Sequence, residues 1–174
     1  NVIYTRKNNL SYTVKYLEQG TAGKELLSTK TVKNQPLHQL VTEEAPAIEG
    51  YKLVSKSPQS ITITEKKNEI IFYYTKQTDL SYTVNYYWNG TEYSVKPSKT
   101  VTGKTFGEEA TESPIGADGY TPVSTDPKKI TIGTGNNEIT FYYYKNVELT
   151  ANSDEKTYNG NDHSVSGFTG APED

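Results

Sequence analysis

Residues 10–16 read LSYTVKY, with Leu10, Tyr12, Val14 and Tyr16 alternating against Ser11, Thr13 and Lys15. A period of two predicts a strand with one buried face. The alternation returns at Ile70, Phe72 and Tyr74, which predicts a second, closing strand. Shorter strands are predicted at 26–32, 51–55 and 60–64, with a hairpin around Gly20–Gly23 and a turn at Lys56-Ser57-Pro58. Residues 35–46, QPLHQLVTEEAP, break the alternation. Leu37, Leu40 and Val41 stand at helical spacing, Pro36 suits a first helical position and Pro46 ends the run. A short helix is therefore predicted there.

The pattern is written twice. Leu10, Tyr12, Val14 and Tyr16 recur at Leu80, Tyr82, Val84 and Tyr86, at an offset of 70. From Lys30-Thr31-Val32, matching Lys99-Thr100-Val101, the offset is 69, so one residue is lost in the loop after Thr21. Gly50-Tyr51 then matches Gly119-Tyr120, and Phe72-Tyr73-Tyr74 matches Phe141-Tyr142-Tyr143. The second helix window, residues 105–114, keeps Phe106 and Ala110 at i and i+4 but contains Gly107, which weakens it. The expected domains are a copy at 10–76, a copy at 80–145, the last strand of a preceding copy at 1–9, and the opening of a different surface module at 147–174. Each copy reads as α+β, a mixed sheet carrying one short helix in the manner of a ubiquitin-like β-grasp, with a pure β-sandwich as the alternative. The linkers are short, so the two tandem copies are expected to form an elongated, semi-rigid rod.

Composition sharpens this reading. The 15 Tyr against 4 Phe and 1 Trp suit a half-buried pleated surface. The 18 Lys+Arg against 21 Asp+Glu leave a net charge of −3, with no electrostatic footprint for nucleic acid. No apolar run reaches the ~18 residues of a membrane span, so no membrane insertion is expected. The absence of Cys removes disulfides and thiolate chemistry.

The Tyr-Thr-Val-x-Tyr strand, the glycine-centred hairpin, the central Gly-Tyr and the closing Ile-x-Phe-Tyr-Tyr resemble MucBP (mucin-binding protein) repeats of Gram-positive surface adhesins. The resemblance covers about 10–76 and 80–145. It implies a β-grasp-like module of an extracellular, cell-wall-anchored parent at the bacterial surface. It also implies host mucin or another glycoprotein as partner. Residues 33–38, KNQPLH, depart from the second copy by lacking the glycines found at Gly103 and Gly107.

No G-x-S-x-G, H-E-x-x-H or Gly-rich phosphate loop occurs, so neither an enzyme nor a cofactor is expected. His38 reads as a solvated helix side chain. Asp154, Glu155, Asn161 and Asp162 crowd a polar loop that matches no calcium motif, so no metal is expected. A Lys–Asn cross-link is not expected either, because Lys15 becomes Asn85 in the second copy.

The candidate ligand-binding residues are Tyr87, Trp88 and Tyr93, around Asn89-Gly90, where aromatic faces could stack on sugar rings. By strand parity Tyr87 faces outward, whereas Trp88 shares the face of Tyr86 and has core closure as its alternative reading. Tyr73, Tyr142 and Tyr144 either extend an aromatic stripe or cover the junction between copies. The expected function is a non-enzymatic repeat module binding mucin or host glycan weakly and multivalently. The alternative is a structural stalk that projects another domain from the cell wall. Residues 147–174 are expected to pair strand-wise with a neighbouring sheet edge.

Overall fold

The computed structural model describes residues 5–157 and 159–170, all of it strand, turn or irregular chain. Contacts divide the chain into two compact units. The first holds residues up to 82 with 100–110 and 130–137, and the second holds 83–99, 111–129 and the remainder.

The first four-stranded sheet has the order β2-β1-β6-β4, where β1 is Leu10–Glu18, β2 is Glu25–Gln35, β4 is Tyr51–Leu53 and β6 is Glu69–Lys76. β1 and β6 are parallel and pair Val14 with Ile70 and Tyr16 with Phe72, while the two outer pairings are antiparallel. A parallel pair needs a long crossover. Part of that crossover is a two-stranded ladder of β3 (Leu40–Glu43) on β5 (Gln59–Thr62). The second copy repeats the order. β8 (Ser94–Lys104), β7 (Leu80–Trp88), β12 (Glu138–Lys145) and β10 (Tyr120–Pro122) form one sheet, and β9 (Glu109–Glu112) pairs with β11 (Lys128–Thr131). β7 and β12 are again parallel, with Val84 opposite Ile139 and Tyr86 opposite Phe141.

The alternation read from the sequence is the burial pattern. Val14, Ile63, Ile70, Phe72 and Tyr74 are fully buried in one core cluster with Tyr12, Tyr16 and Val41. Tyr16 stacks on Phe72 with ring centroids 6.1 Å apart, and Tyr86 stacks on Phe141 at 6.2 Å. Each such ring contributes roughly 1.5–3 kcal/mol of burial.

The expected helix is absent among the described residues, so the α+β, β-grasp reading with one short helix per copy is corrected to all-β. Pro36–Gln39 is a turn, closed by the Gln39 N–H on the Pro36 carbonyl at 3.2 Å. His38 takes φ +66° there, a left-handed value that no α-helix contains. Its N–H donates to the Ile63 carbonyl (2.8 Å), and the Ile63 N–H returns a bond to Gln39 (2.8 Å). From Leu40 the chain alternates again, with Leu40 65% exposed and Val41 buried at 8%. A single helix face would have buried both. A short window nucleates a helix poorly, and pairing with β5 satisfies the same backbone groups. In the second copy Gly107 (φ +76°) makes the same turn and Ala110 is the buried residue of β9. Asn34 and His38 therefore occupy the positive-φ positions that Gly103 and Gly107 fill in the second copy.

The segment before β1 is placed by its backbone. The expected strand at 1–9 lies partly outside the described residues. Within them, Lys7 O accepts from the Leu37 N–H at 2.8 Å, just as Gln77 O accepts from the Phe106 N–H at 2.9 Å one copy later. In the first unit the Phe106 ring also lies against Gly50 and packs edge-on to Tyr51 at 5.8 Å. Gly50 has φ +77°, and the ring fills the place a Cβ would take. Gly119, its counterpart, has φ +78°, and nothing lies within 4 Å of the place its Cβ would take. At the far end of the chain β13 (Thr150–Ala151) pairs antiparallel with β14 (Phe168–Thr169), so residues 147–170 supply their own strand partner.

A polar triad ties β1, β2 and β3 at the rim of the core. The Tyr12 hydroxyl donates to Glu43 Oε1 at 2.6 Å, and Lys30 Nζ meets both Glu43 oxygens at 2.8 Å. Burial pushes the Tyr12 phenol up to about 12, helped by Glu43. For Glu43, burial opposes the charge, but hydrogen bonds from Lys30 and Tyr12 and the Lys30 charge outweigh it and hold the pKa below the ordinary 4.5. Glu69 is likewise held low by hydrogen bonds from Lys67 and Lys15. Lys99 repeats the Lys30 pairing on Glu112 at 2.7 Å.

Two predictions follow from these contacts. A lowered carboxyl pKa stabilises the fold fully above its unfolded value of 4.5 and ceases to do so as pH falls through the folded value. The thermal midpoint should therefore fall as the pH drops below 4.5, and Glu43→Gln should flatten that acid limb. Gly119→Ala should destabilise by about 1–2 kcal/mol, the left-handed backbone term alone. Gly50→Ala should cost about 2–5 kcal/mol, because the Phe106 ring must also move. Urea unfolding of the two variants measures the difference.

Candidate binding surface

The second copy differs most from the first at the mouth of its opening hairpin. In the first copy the Glu18 N–H donates to the Lys24 carbonyl at 2.9 Å. Their side chains form an ion pair, Lys24 Nζ to Glu18 Oε2 at 2.8 Å, with Glu18 buried and the Tyr51 hydroxyl 3.5 Å away. The same backbone bond in the second copy runs from the Trp88 N–H to the Tyr93 carbonyl, also at 2.9 Å. Trp88 and Tyr93 thus stand where the first copy has an ion pair. Cross-strand neighbours project on one face, and here both side chains are open to solvent, Trp88 at 39% and Tyr93 at 63% exposed.

The turn that presents them is well bonded. Gly90 adopts φ +78°. The Thr91 N–H and hydroxyl both donate to the Trp88 carbonyl, at 3.0 and 2.9 Å, and the Tyr93 N–H donates to Thr91 Oγ1 at 3.1 Å. The aromatic pair therefore sits on a fixed backbone.

Tyr87 belongs elsewhere. Consecutive strand residues leave opposite faces, so Tyr87 does not share the surface of Trp88. It is half-buried and lies in register with Tyr142 on the parallel neighbour β12. Tyr142 is 41% exposed, and Lys128 Nζ lies 5.9 Å from its ring centre. Lys128 also donates to the Thr140 carbonyl at 2.6 Å, which pins the cation beside the ring. Tyr73 and Tyr144 are exposed on β6 and β12. The three sequence candidates thus divide into a hairpin pair, Trp88 with Tyr93, and Tyr87, which lies beside Tyr142 on the other face.

The two histidines and the Lys15/Asn85 position are accounted for locally. His38 is a turn residue, and His163 Nε2 lies 2.9 Å from Asn159 Oδ1. Lys15 pairs with Glu69 at 3.0 Å, and buried Asn85 accepts from the Ser98 hydroxyl at 2.8 Å. Among the described residues no three His or acidic side chains gather as metal ligands.

Trp88 and Tyr93 were both candidates from the sequence, but their direct opposition across the hairpin mouth was not read there, because the one-residue deletion falls inside this loop. Placing the gap after Thr91 aligns Lys24 with Tyr93 and would have revealed the exchange of an ion pair for two rings.

Residues 12–75 match the model of the MucBP domain family. Three solved structures are similar to the chain, each over 78% of its length. "Crystal structure of Mub-RV" is 16% identical with a TM-score of 0.28, and 98% of that chain is covered. The type 2 repeat of the mucus binding protein MUB from Lactobacillus reuteri is 12% identical with a TM-score of 0.28, and 99% of it is covered. Streptococcal High Identity Repeats in Tandem (SHIRT) domains 3-4 from a cell surface protein are 16% identical with a TM-score of 0.30, and 98% is covered. No protein of curated function matches the chain.

Burial sets the expectation for Trp88. Replacing a fully buried Trp or Phe with Ala costs ~3–5 kcal/mol. At 39% exposure, Trp88→Ala should cost roughly half that in urea unfolding. A loss of the full size would place the indole in the core.

Proposed function

We propose that this chain is a non-enzymatic binding module of a bacterial cell-surface adhesin, and that its partner is mucin or a related host glycoprotein. The observation that carries this reading is the match of residues 12–75 to the MucBP domain. The exposed rings supply a contact chemistry consistent with it. A sugar presents an apolar ring face and a rim of hydroxyls, and Trp and Tyr combine a flat apolar face with a polar edge. Trp88 and Tyr93 form the principal contact, and Tyr87 with Tyr142 forms a secondary one on the opposite face.

Neither pair is enclosed, so each contact is weak. Binding strength then comes from multivalency, where linked modules raise the effective concentration for one another without new contacts. The cell-wall-anchored parent belongs to the same proposal, as do copies beyond the two present here.

The test is binding of the intact chain to immobilised mucin. Trp88→Ala combined with Tyr93→Ala should lower the affinity at least about tenfold, the loss of two ring faces available to a sugar. Tyr87→Ala should lower it by a smaller factor, compared at a temperature where the variant is still fully folded. Full binding by the triple variant would remove these residues from the site. No binding by the unmodified chain would favour the stalk.

A further inference from the structure

The first copy carries the family match, yet its hairpin mouth holds the Glu18–Lys24 ion pair and not an aromatic pair. The concave feature of the first compact unit lies elsewhere. The irregular segment between β3 and β4 borders a groove of about 670 Å³, and every lining residue belongs to the first compact unit. The volume falls within the ~300–1,000 Å³ typical of small-ligand sites.

The lining has two kinds of surface. Pro46, Ile48 and Leu53 make an apolar wall. Glu49, Gln77 and Thr134 supply the polar groups. The Thr134 hydroxyl donates to Glu49 Oε1 at 3.0 Å, which orients an exposed carboxylate at the rim. Gln77 has both backbone groups engaged, its N–H on Gly50 O at 2.9 Å and its carbonyl taking the Phe106 N–H at 2.9 Å. What it offers a ligand is its side-chain amide. The floor is held by the Tyr74 hydroxyl, which donates to the Pro46 carbonyl at 2.8 Å.

No Lys or Arg lines the groove. A lone carboxylate among neutral donors and acceptors disfavours anionic ligands and accepts well from hydroxyls. A basic peptide would call for paired carboxylates, and Glu49 is the single acid in the lining. We propose that the groove binds a neutral oligosaccharide, with the apolar ring face on Pro46, Ile48 and Leu53 and ring hydroxyls donating to Glu49. This site is separate from the Trp88–Tyr93 surface.

The experiment is titration of the full chain with lacto-N-neotetraose, an uncharged tetrasaccharide, followed by backbone amide NMR. Saturable shifts should cluster at residues 45–53. Ala47, an exposed lining residue, allows the groove to be filled without touching the core. Ala47→Trp should abolish the saturable shifts and leave the thermal midpoint unchanged. Glu49→Ala should weaken binding about tenfold, the loss of one charge-assisted hydrogen bond. Trp88→Ala should leave these shifts intact. Shifts that are absent, that fall outside the groove, or that survive Ala47→Trp overturn the proposal. So does tighter binding of a lysine-rich peptide than of the sugar at the same residues. Mucin binding that persists in Ala47→Trp bears on the hairpin surface alone, so failure of one site is distinguishable from failure of the other.

Discussion

The parallel pairing of the first and last strands of each copy is the constraint on which the rest depends. β1 lies beside β6 and β7 beside β12, with stacked rings, Tyr16 on Phe72 and Tyr86 on Phe141, at the same place in each. A parallel pair cannot be joined by a tight turn. Everything between the two strands must cross over and return, and the β3–β5 ladder lies within that passage. The turn at His38, the irregular segment at 44–49 and the groove beside it all follow from it.

The same pairing separates what a copy holds fixed from what it can vary. Tyr12, Val14, Phe72 and Tyr74 and their counterparts are inward-facing, so exchange there would cost core packing. The hairpin mouth lies at the end of the sheet and is bound mainly by backbone hydrogen bonds. It therefore tolerates an ion pair in one copy and two aromatic rings in the other, at an unchanged backbone distance of 2.9 Å. Side chains can change there while the sheet does not.

Much of this was legible in the residues. The duplication and the alternating strands follow from period and parity, and the family resemblance rested on core and turn positions that report fold. The helix over 35–46 was misread because Leu37, Leu40 and Val41 satisfy a helical spacing by coincidence. The deciding facts were non-local, namely hydrogen bonds between residues 38–39 and Ile63 and the pairing of Val41 with Ile61. No local pattern contains those contacts. The groove was invisible for the same reason, since Thr134 and Glu49 are 85 residues apart in the chain. Asn34 and His38 hid their positive φ because glycine, the usual marker of that conformation, appears only in the second copy.

Recognition of sugar by open surfaces on a small β module is the central claim, and the most direct measurement is binding of the intact chain to immobilised mucin before and after enzymatic removal of its glycans. The proposed sugar contacts, at the exposed rings and at a groove whose one charge is the Glu49 carboxylate, predict binding that disappears with the glycans. Equal binding to the stripped protein core would contradict sugar recognition.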